Sequence, residues 1–327
     1  MSNQTCSVEG YRLLTNPYYI ASQCVHVCVS VATIICIILI RESLLTLHVH
    51  KNIKIIFLLI FVCIILHALV FIIFEVHHLL KTLMMKSFCD VFQAGLFCLF
   101  VRLALHFYCI CLVILELGLC IERTMATVWS SGYEKFRATF GIFYSSFAVF
   151  TALIASYLVN YSSEDERNFS CLNNSKDRIR VDVMNYTLTA LNFVTFAWII
   201  ILYEKNKCYS RKLDTHLSNR YQIQENVSST KLTIIMGCTQ LLLFAAHLGI
   251  NIARRTQFAT MDIILYRTLE SVGYLFTYYS FMLPVVMSLF IKRERQTKIA
   301  SLRDNINQSA KGSEGTDLYF GMYGKQW

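Results

Sequence analysis

Eight polar or ionisable side chains stand inside runs of otherwise apolar residues: Arg102 and His106 in one run, His247 and Asn251 in a second, and Tyr266, Arg267, Glu270 and Tyr274 in a third. Such groups are costly in hydrocarbon and persist where they pair with one another or line a polar cavity. Arg102 and His106 are four residues apart and Arg267 and Glu270 three apart, so each pair shares one face of a helix. If the three runs converge, they enclose a cavity with one carboxylate, two guanidinium groups, imidazoles and aromatic walls. That is chemistry for holding a small polar or amphiphilic molecule. The same residues also admit a structural arrangement, with Arg102 bridging Glu270 to tie two helices together. Glu116, deeper in the first run, reads as a buried structural or cation-linked carboxylate, and His67 as a core histidine.

The first run ends abruptly at Glu122-Arg123, within the stretch LCIERTMATVWSSGYEKFR. An adjacent acid and base at the end of an apolar helix form at least an interfacial ion pair that anchors the helix.

The elements that must position these groups follow from composition. The 327 residues are 55% hydrophobic and 16% charged, with a mean hydropathy of +0.49. Soluble domains carry about 25% charged residues. The apolar residues come in blocks of about 20, the length of a helix that crosses a bilayer. Seven spans are read: 21–40, 55–75, 95–121, 139–159, 184–203, 232–252 and 262–289. The fold class is therefore an all-α membrane protein, a seven-transmembrane helix bundle over 21–291, with an N-terminal segment 1–20 and a tail 292–327. The polar start has no cleavable leader pattern, so the first run is expected to stay as a span.

The net charge of +9 is spread over the loops. It points to orientation in the membrane rather than to nucleic acid. With the N-terminus outside, the inner loops and near tail hold 17 lysines and arginines against 9 outside. The stretch from Phe290 to Ile299 reads as a short amphipathic helix with its basic face on anionic lipid or as a plain charge stop. Sequons at Asn3, Asn160, Asn168 and Asn173 fall outside and are expected glycosylation sites, with Asn185 at a helix mouth. Those at Asn226 and Asn307 fall inside and are expected to be unused.

Most of the 13 cysteines lie in apolar blocks, where they fill space. Cys6, Cys89, Cys98 and Cys171 could face the oxidising side. Cys98 precedes Arg123 by 25 residues, about 37 Å of helix, one tilted crossing. Cys98–Cys171 is the favoured bridge and Cys89–Cys171 the alternative, with Cys6–Cys89 available as a second bridge; spacing alone leaves the choice open.

An enzyme is disfavoured: no nucleophile signature stands out, and neither His77-His78 nor His48 with His50 places metal ligands on one helical face within a span. Neither a metal nor a cofactor is expected. Residues 262–289 hold no lysine for a retinal linkage.

Several stretches carry a resemblance: HKNIK at 50–54, Cys89-Asp90 with Cys98 and Arg102, IERTMAT at 121–127 followed by Tyr133-Glu134, LSNRYQIQEN at 217–226, and a terminal Tyr319-Phe320 with Trp327. Together they resemble the nematode serpentine chemoreceptors of the Sra superfamily, nearest to classes ab and b, and thus G-protein-coupled receptors. The resemblance implies a small-molecule ligand, a heterotrimeric G protein as partner, olfactory signalling, and a place in the plasma membrane of sensory cilia. It also implies a switch at Glu122-Arg123: the guanidinium has a resting partner and exchanges it when helix six swings outward. Tyr221 and the basic third inner loop would face the G protein, and Pro284 would kink helix seven. Departures from the rhodopsin-like pattern are plain. Thr124 stands where a tyrosine is usual, helix six has no proline, and the helix-seven motif is reduced to Leu283-Pro284-Val285-Val286-Met287. The alternative of another class is a seven-helix ligand-gated channel of inverted topology, against which the loop charges and sequons argue.

Overall fold

The computed structural model describes residues 10–46, 49–84, 92–129, 138–161, 171–172, 178–212, 217–257 and 261–309. All regular structure among them is helical: α1 (Pro17–Leu45), α2 (Lys51–Met84), α3 (Gly95–Val128), α4 (Thr139–Asn160), α5 (Arg178–Lys212), α6 (Leu217–Thr256), α7 (Ile263–Val272) and α8 (Phe276–Ser309). A helical turn over 10–14 precedes them, and its Leu13 and Leu14 bury against Tyr19 and Ile264. Seven helical segments are long and apolar enough to cross a membrane, the last made of α7 and α8.

The helices run past the apolar blocks because hydropathy marks hydrocarbon and not the end of a hydrogen-bond ladder. α1 starts at 17 rather than 21: Pro17 has the backbone angle of a first turn, and the Asn16 side chain accepts from the Tyr18 and Tyr19 amides at 3.0 and 3.2 Å. α6 starts at Leu217, well before the expected 232, because its polar first half contains no proline or glycine to stop it. The seventh span is interrupted between Val272 and Phe276. Non-helical backbone at such depth survives where it lines a cavity, and this break does so.

α3 is the central element and packs against α2, α4, α5 and α6. Large apolar side chains such as Leu39, Leu58, Phe143, Phe150 and Ile201 point away from the bundle, which is the surface lipid requires. Close approach of α2 and α4 depends on Gly141. Its amide donates to the Asn52 side-chain oxygen at 3.0 Å, and a Cβ there would meet the Asn52 carbonyl oxygen at 2.8 Å and Cα at 2.9 Å. Both obstructions are backbone and cannot rotate away. Gly141→Ala is therefore expected to force α2 and α4 apart and to cost about 1–3 kcal/mol. A lower thermal midpoint of the purified protein checks this, and an unchanged midpoint would refute it.

The chain divides into two units, residues 1–284 and 285–327. In the second, the described residues are helical throughout to Ser309, so the basic stretch from Lys292 to Lys298 belongs to α8 and is no separate short helix.

Candidate functional site

At one end of the first unit Cys98, in the first turn of α3, and Cys171 are disulfide-bonded, with Cα atoms 4.6 Å apart. The bridge is buried among Phe71, Phe74, Val101 and Leu105. Beneath it lies a cavity of about 80 Å³, room for a molecule of several heavy atoms. Of the eight residues expected to converge, Arg102, His106, His247, Asn251, Glu270 and Tyr274 line it. Tyr266 and Arg267 stand behind it and brace it. Arg267 pairs with Glu270 at 2.9 Å, and the Tyr266 ring carries the guanidinium of Arg254 at 4.7 Å and that of Arg267 at 5.9 Å.

The cavity holds more cation than expected. Arg254, Arg255 and Arg178 line it as well. Arg254 bonds Glu270 at 2.7 Å, so the carboxylate assigned to Arg102 in the structural arrangement is gripped by two other arginines. Arg255 forms a two-pronged pair with Asp182 of α5, the geometry for which a guanidinium is suited.

Hydrogen bonding fixes the imidazoles. A carbonyl only accepts, so His247 donates from Nδ1 to the Gly273 oxygen at 3.0 Å and accepts at Nε2 from the Asn251 amide at 2.9 Å. Asn251 in turn accepts from Arg254 at 3.2 Å. A relay thus runs from Glu270 through Arg254, Asn251 and His247 to the break in the seventh span. His106 accepts at Nδ1 from the Asn160 amide at 2.8 Å, which places its proton on Nε2.

Below the cavity, Tyr274 passes contact onward. Its hydroxyl meets His67 Nε2 at 3.1 Å, while His67 Nδ1 lies 3.2 Å from Ser280 Oγ and the ring stacks on Tyr108 at 4.0 Å. Tyr108 closes the set with a 2.6 Å bond to Ser280. His67 is the satisfied core histidine expected, and its position also joins α2, α3 and α8. Glu116 lies deeper on α3, buried beside Gly237, where a Cβ would collide with its Oε1. Pro284 is inside α8, where its ring removes the amide that would bond the Ser280 carbonyl.

Glu122 and Arg123 occupy the opposite end of α3, and both are fully buried rather than interfacial. Arg123 donates from Nε to Glu122 at 2.6 Å, and its Nη1 reaches Asn226 at 3.3 Å and Ser229 on α6. Asn226 also donates to the Ala126 carbonyl at 3.1 Å. His50 lies 3.9 Å from the other Glu122 oxygen. The pair is thus a clasp between α3 and α6. The side chain of Tyr221, nearby in sequence, lies outside the described residues.

Among the remaining expectations, Asn160, an expected glycosylation site, has a buried side chain whose amide donates to His106 and to the Ser156 carbonyl. Asn3, Asn168, Asn173, Cys6 and Cys89 lie outside the described residues. Reading the sequence alone missed Arg254, Arg255 with Asp182, and the α6 partners Asn226 and Ser229. Asn226 stood out only as a sequon and as the last residue of the LSNRYQIQEN stretch, neither of which pointed to Arg123.

Comparison with known proteins places these features in a family. A family model described as "Serpentine type 7TM GPCR receptor class ab chemoreceptor" matches residues 13–327. Serpentine receptor class beta-17 of Caenorhabditis elegans is 29% identical over 327 residues, covering 95% of this chain and 88% of that protein. Serpentine receptor class beta-13 of the same organism is 23% identical over 344 residues, covering 99% and 96%. Serpentine receptor class alpha-39 is 28% identical over 157 residues, covering 46% and 42%. A seven-span bundle matched over all but its first residues by this model belongs to the class ab serpentine chemoreceptors: it is a multi-pass membrane protein of a receptor family, not of an enzyme family.

Proposed function

We infer that the chain binds a small molecule in the cavity beneath Cys98–Cys171 and activates a heterotrimeric G protein at the Glu122–Arg123 end. The observation that carries this is the double engagement of α3. Arg102 and His106 line the cavity. Arg123, further along the same helix, is held by Asn226 and Ser229 of α6. A ligand that draws on Arg102, or on the α6 relay of His247, Asn251 and Arg254, biases how α3 and α6 meet at the other end. Outward movement of α6 then breaks the Arg123 clasp and opens a basic surface, with Tyr221 and the start of α6 beside it, to the G-protein α-subunit. The N-terminus is outside and the basic end inside, with Lys292 to Lys298 near anionic lipid. The plasma membrane of sensory cilia is the proposed location.

Orientation separates this reading from an inverted ligand-gated channel, and glycan mapping tests it. Loss of enzymatically removable glycan from the Asn3→Gln and Asn168→Gln/Asn173→Gln variants, with none from Asn226→Gln or Asn307→Gln, is the expected result. Glycan dependent on Asn226 or Asn307 would invert the protein, and ionic current would become the activity to measure.

A further inference from the structure

We propose that bound water molecules bridge α1 and α2 along a buried polar seam, none of whose residues lines the ligand cavity. The inward face of α1 is polar for a membrane helix: Gln23, His26, Ser30 and Thr33 are buried there, while Val31, Ile35, Ile38 and Leu39 face out. Glu75 and His78 are the buried polar residues of the outer half of α2. The two helices run in opposite directions, and their polar residues match in depth. Gln23 and His78 each lie six residues inside the outer end of their helix, and His26 and Glu75 each lie nine inside.

Part of this set is satisfied within the protein. His26 Nδ1 and Glu75 Oε1 lie 3.0 Å apart, and Thr33 donates to the Val29 carbonyl at 2.8 Å. The rest is not. His26 Nε2, both nitrogens of His78, Ser30 Oγ and both amide atoms of Gln23 are buried and complete no hydrogen bond with the described residues, although Gln23 stands beside Glu75. Left bare, six such atoms would cost about as much as the net stability of a whole domain.

Their chemistry selects the guest. Among the described residues no three histidine, cysteine or carboxylate side chains are grouped to hold a metal ion, and the Glu75 carboxyl already has His26 as its partner. What is left mixes donors with acceptors: an amide supplies both, an imidazole one of each, and a hydroxyl either. Water is the smallest molecule that gives and accepts, and a buried one bonds about three partners. The seam is closed to bulk solvent. Tyr19, one turn above Gln23, packs with Leu13, Leu14 and Ile264, and the rings of Phe71 and Tyr278 flank His26 at 5.3 and 5.7 Å. Bonds through water are nearly as good as direct ones, so these waters reconcile a polar α1 face with the bundle.

The test is radiolytic footprinting of the full chain in lipid nanodiscs. An X-ray pulse turns bound water into hydroxyl radicals that oxidise the side chains touching it, and mass spectrometry locates the oxygen. His67 is the reference, buried like the others but with both nitrogens bonded to protein. His26 and His78 are expected to be oxidised severalfold faster than His67, with the added oxygen drawn from heavy-oxygen water. Gln23→Leu, which fills the seam with carbon, should slow both. Ser30→Ala accompanies it as a milder change that removes one hydroxyl and should slow His26. Oxidation of His26 and His78 no faster than that of His67 would show a dry seam and overturn the proposal. Fast oxidation that neither variant slows would place the water elsewhere and overturn it as well. The receptor reading stands apart from both outcomes, because the seam does not rest on it.

Discussion

Arg123→Ala is expected to lower stability by about 3–5 kcal/mol and to abolish G-protein activation. The first effect follows from burial, the second from loss of the guanidinium proposed to exchange partners on activation. Glu122 has no exposed surface and relies on Arg123 at 2.6 Å, with His50 at 3.9 Å as its only other basic neighbour among the described residues. Removing the guanidinium strands a carboxylate in the bundle, and breaking a buried pair from one side costs that much. The same change removes the guanidinium that, once released from Asn226 and Ser229, is proposed to meet the G protein. Glu122→Gln separates the two consequences. It keeps the shape and removes the charge that holds Arg123 at rest, so the clasp loosens and ligand-independent activity rises. Thermal unfolding of purified variants, beside basal signalling in cells, checks both. An Arg123→Ala protein as stable as the parent would mean the pair is not the clasp described.

Cys171→Ser should have a comparable effect at the other end. The bond closes a separation of 73 residues, for which restriction of the unfolded chain is worth about 4 kcal/mol. The site suffers more directly. Cys171 is wholly buried in the cluster of Phe71, Phe74, Val101 and Leu105, and Leu172 beside it forms part of the cavity wall. Freed from Cys98, that segment no longer roofs the cavity. Cys171→Ser and reduction of the parent protein should lower the thermal midpoint alike, and reduction should not lower the variant's midpoint further. A variant that matches the oxidised parent would refute the account.

The legible parts of this fold are those governed by transfer from water to hydrocarbon. Seven apolar blocks mark seven spans, and a position one membrane-width from Glu122-Arg123 favoured Cys98 as the partner of Cys171 while leaving Cys89 open. Arg102, His106 and Glu270 stood out because charge inside an apolar run has few uses. What hydropathy missed lies in its blind zone. Arg254 and Arg255 follow the sixth apolar block and read as loop charges, yet α6 carries them a full turn further and aims them at Glu270 and Asp182. Asn226 and Ser229 sit in polar sequence before that block, where helix propensity alone continues the helix. At Asn160 a three-residue sequon says nothing of burial, and its amide donates to His106. Pairings between distant helices depend on tertiary geometry that no local pattern encodes.

The central claim is that one helix couples a ligand cavity to a G-protein surface. It is tested most directly by nucleotide exchange on purified heterotrimeric G proteins, using the full chain in nanodiscs and a panel of α-subunits. The parent protein should accelerate exchange on at least one α-subunit above receptor-free discs, Glu122→Gln should do so more strongly, and Arg123→Ala should return exchange to the background rate. No acceleration on any α-subunit, or acceleration that survives Arg123→Ala undiminished, would contradict the account.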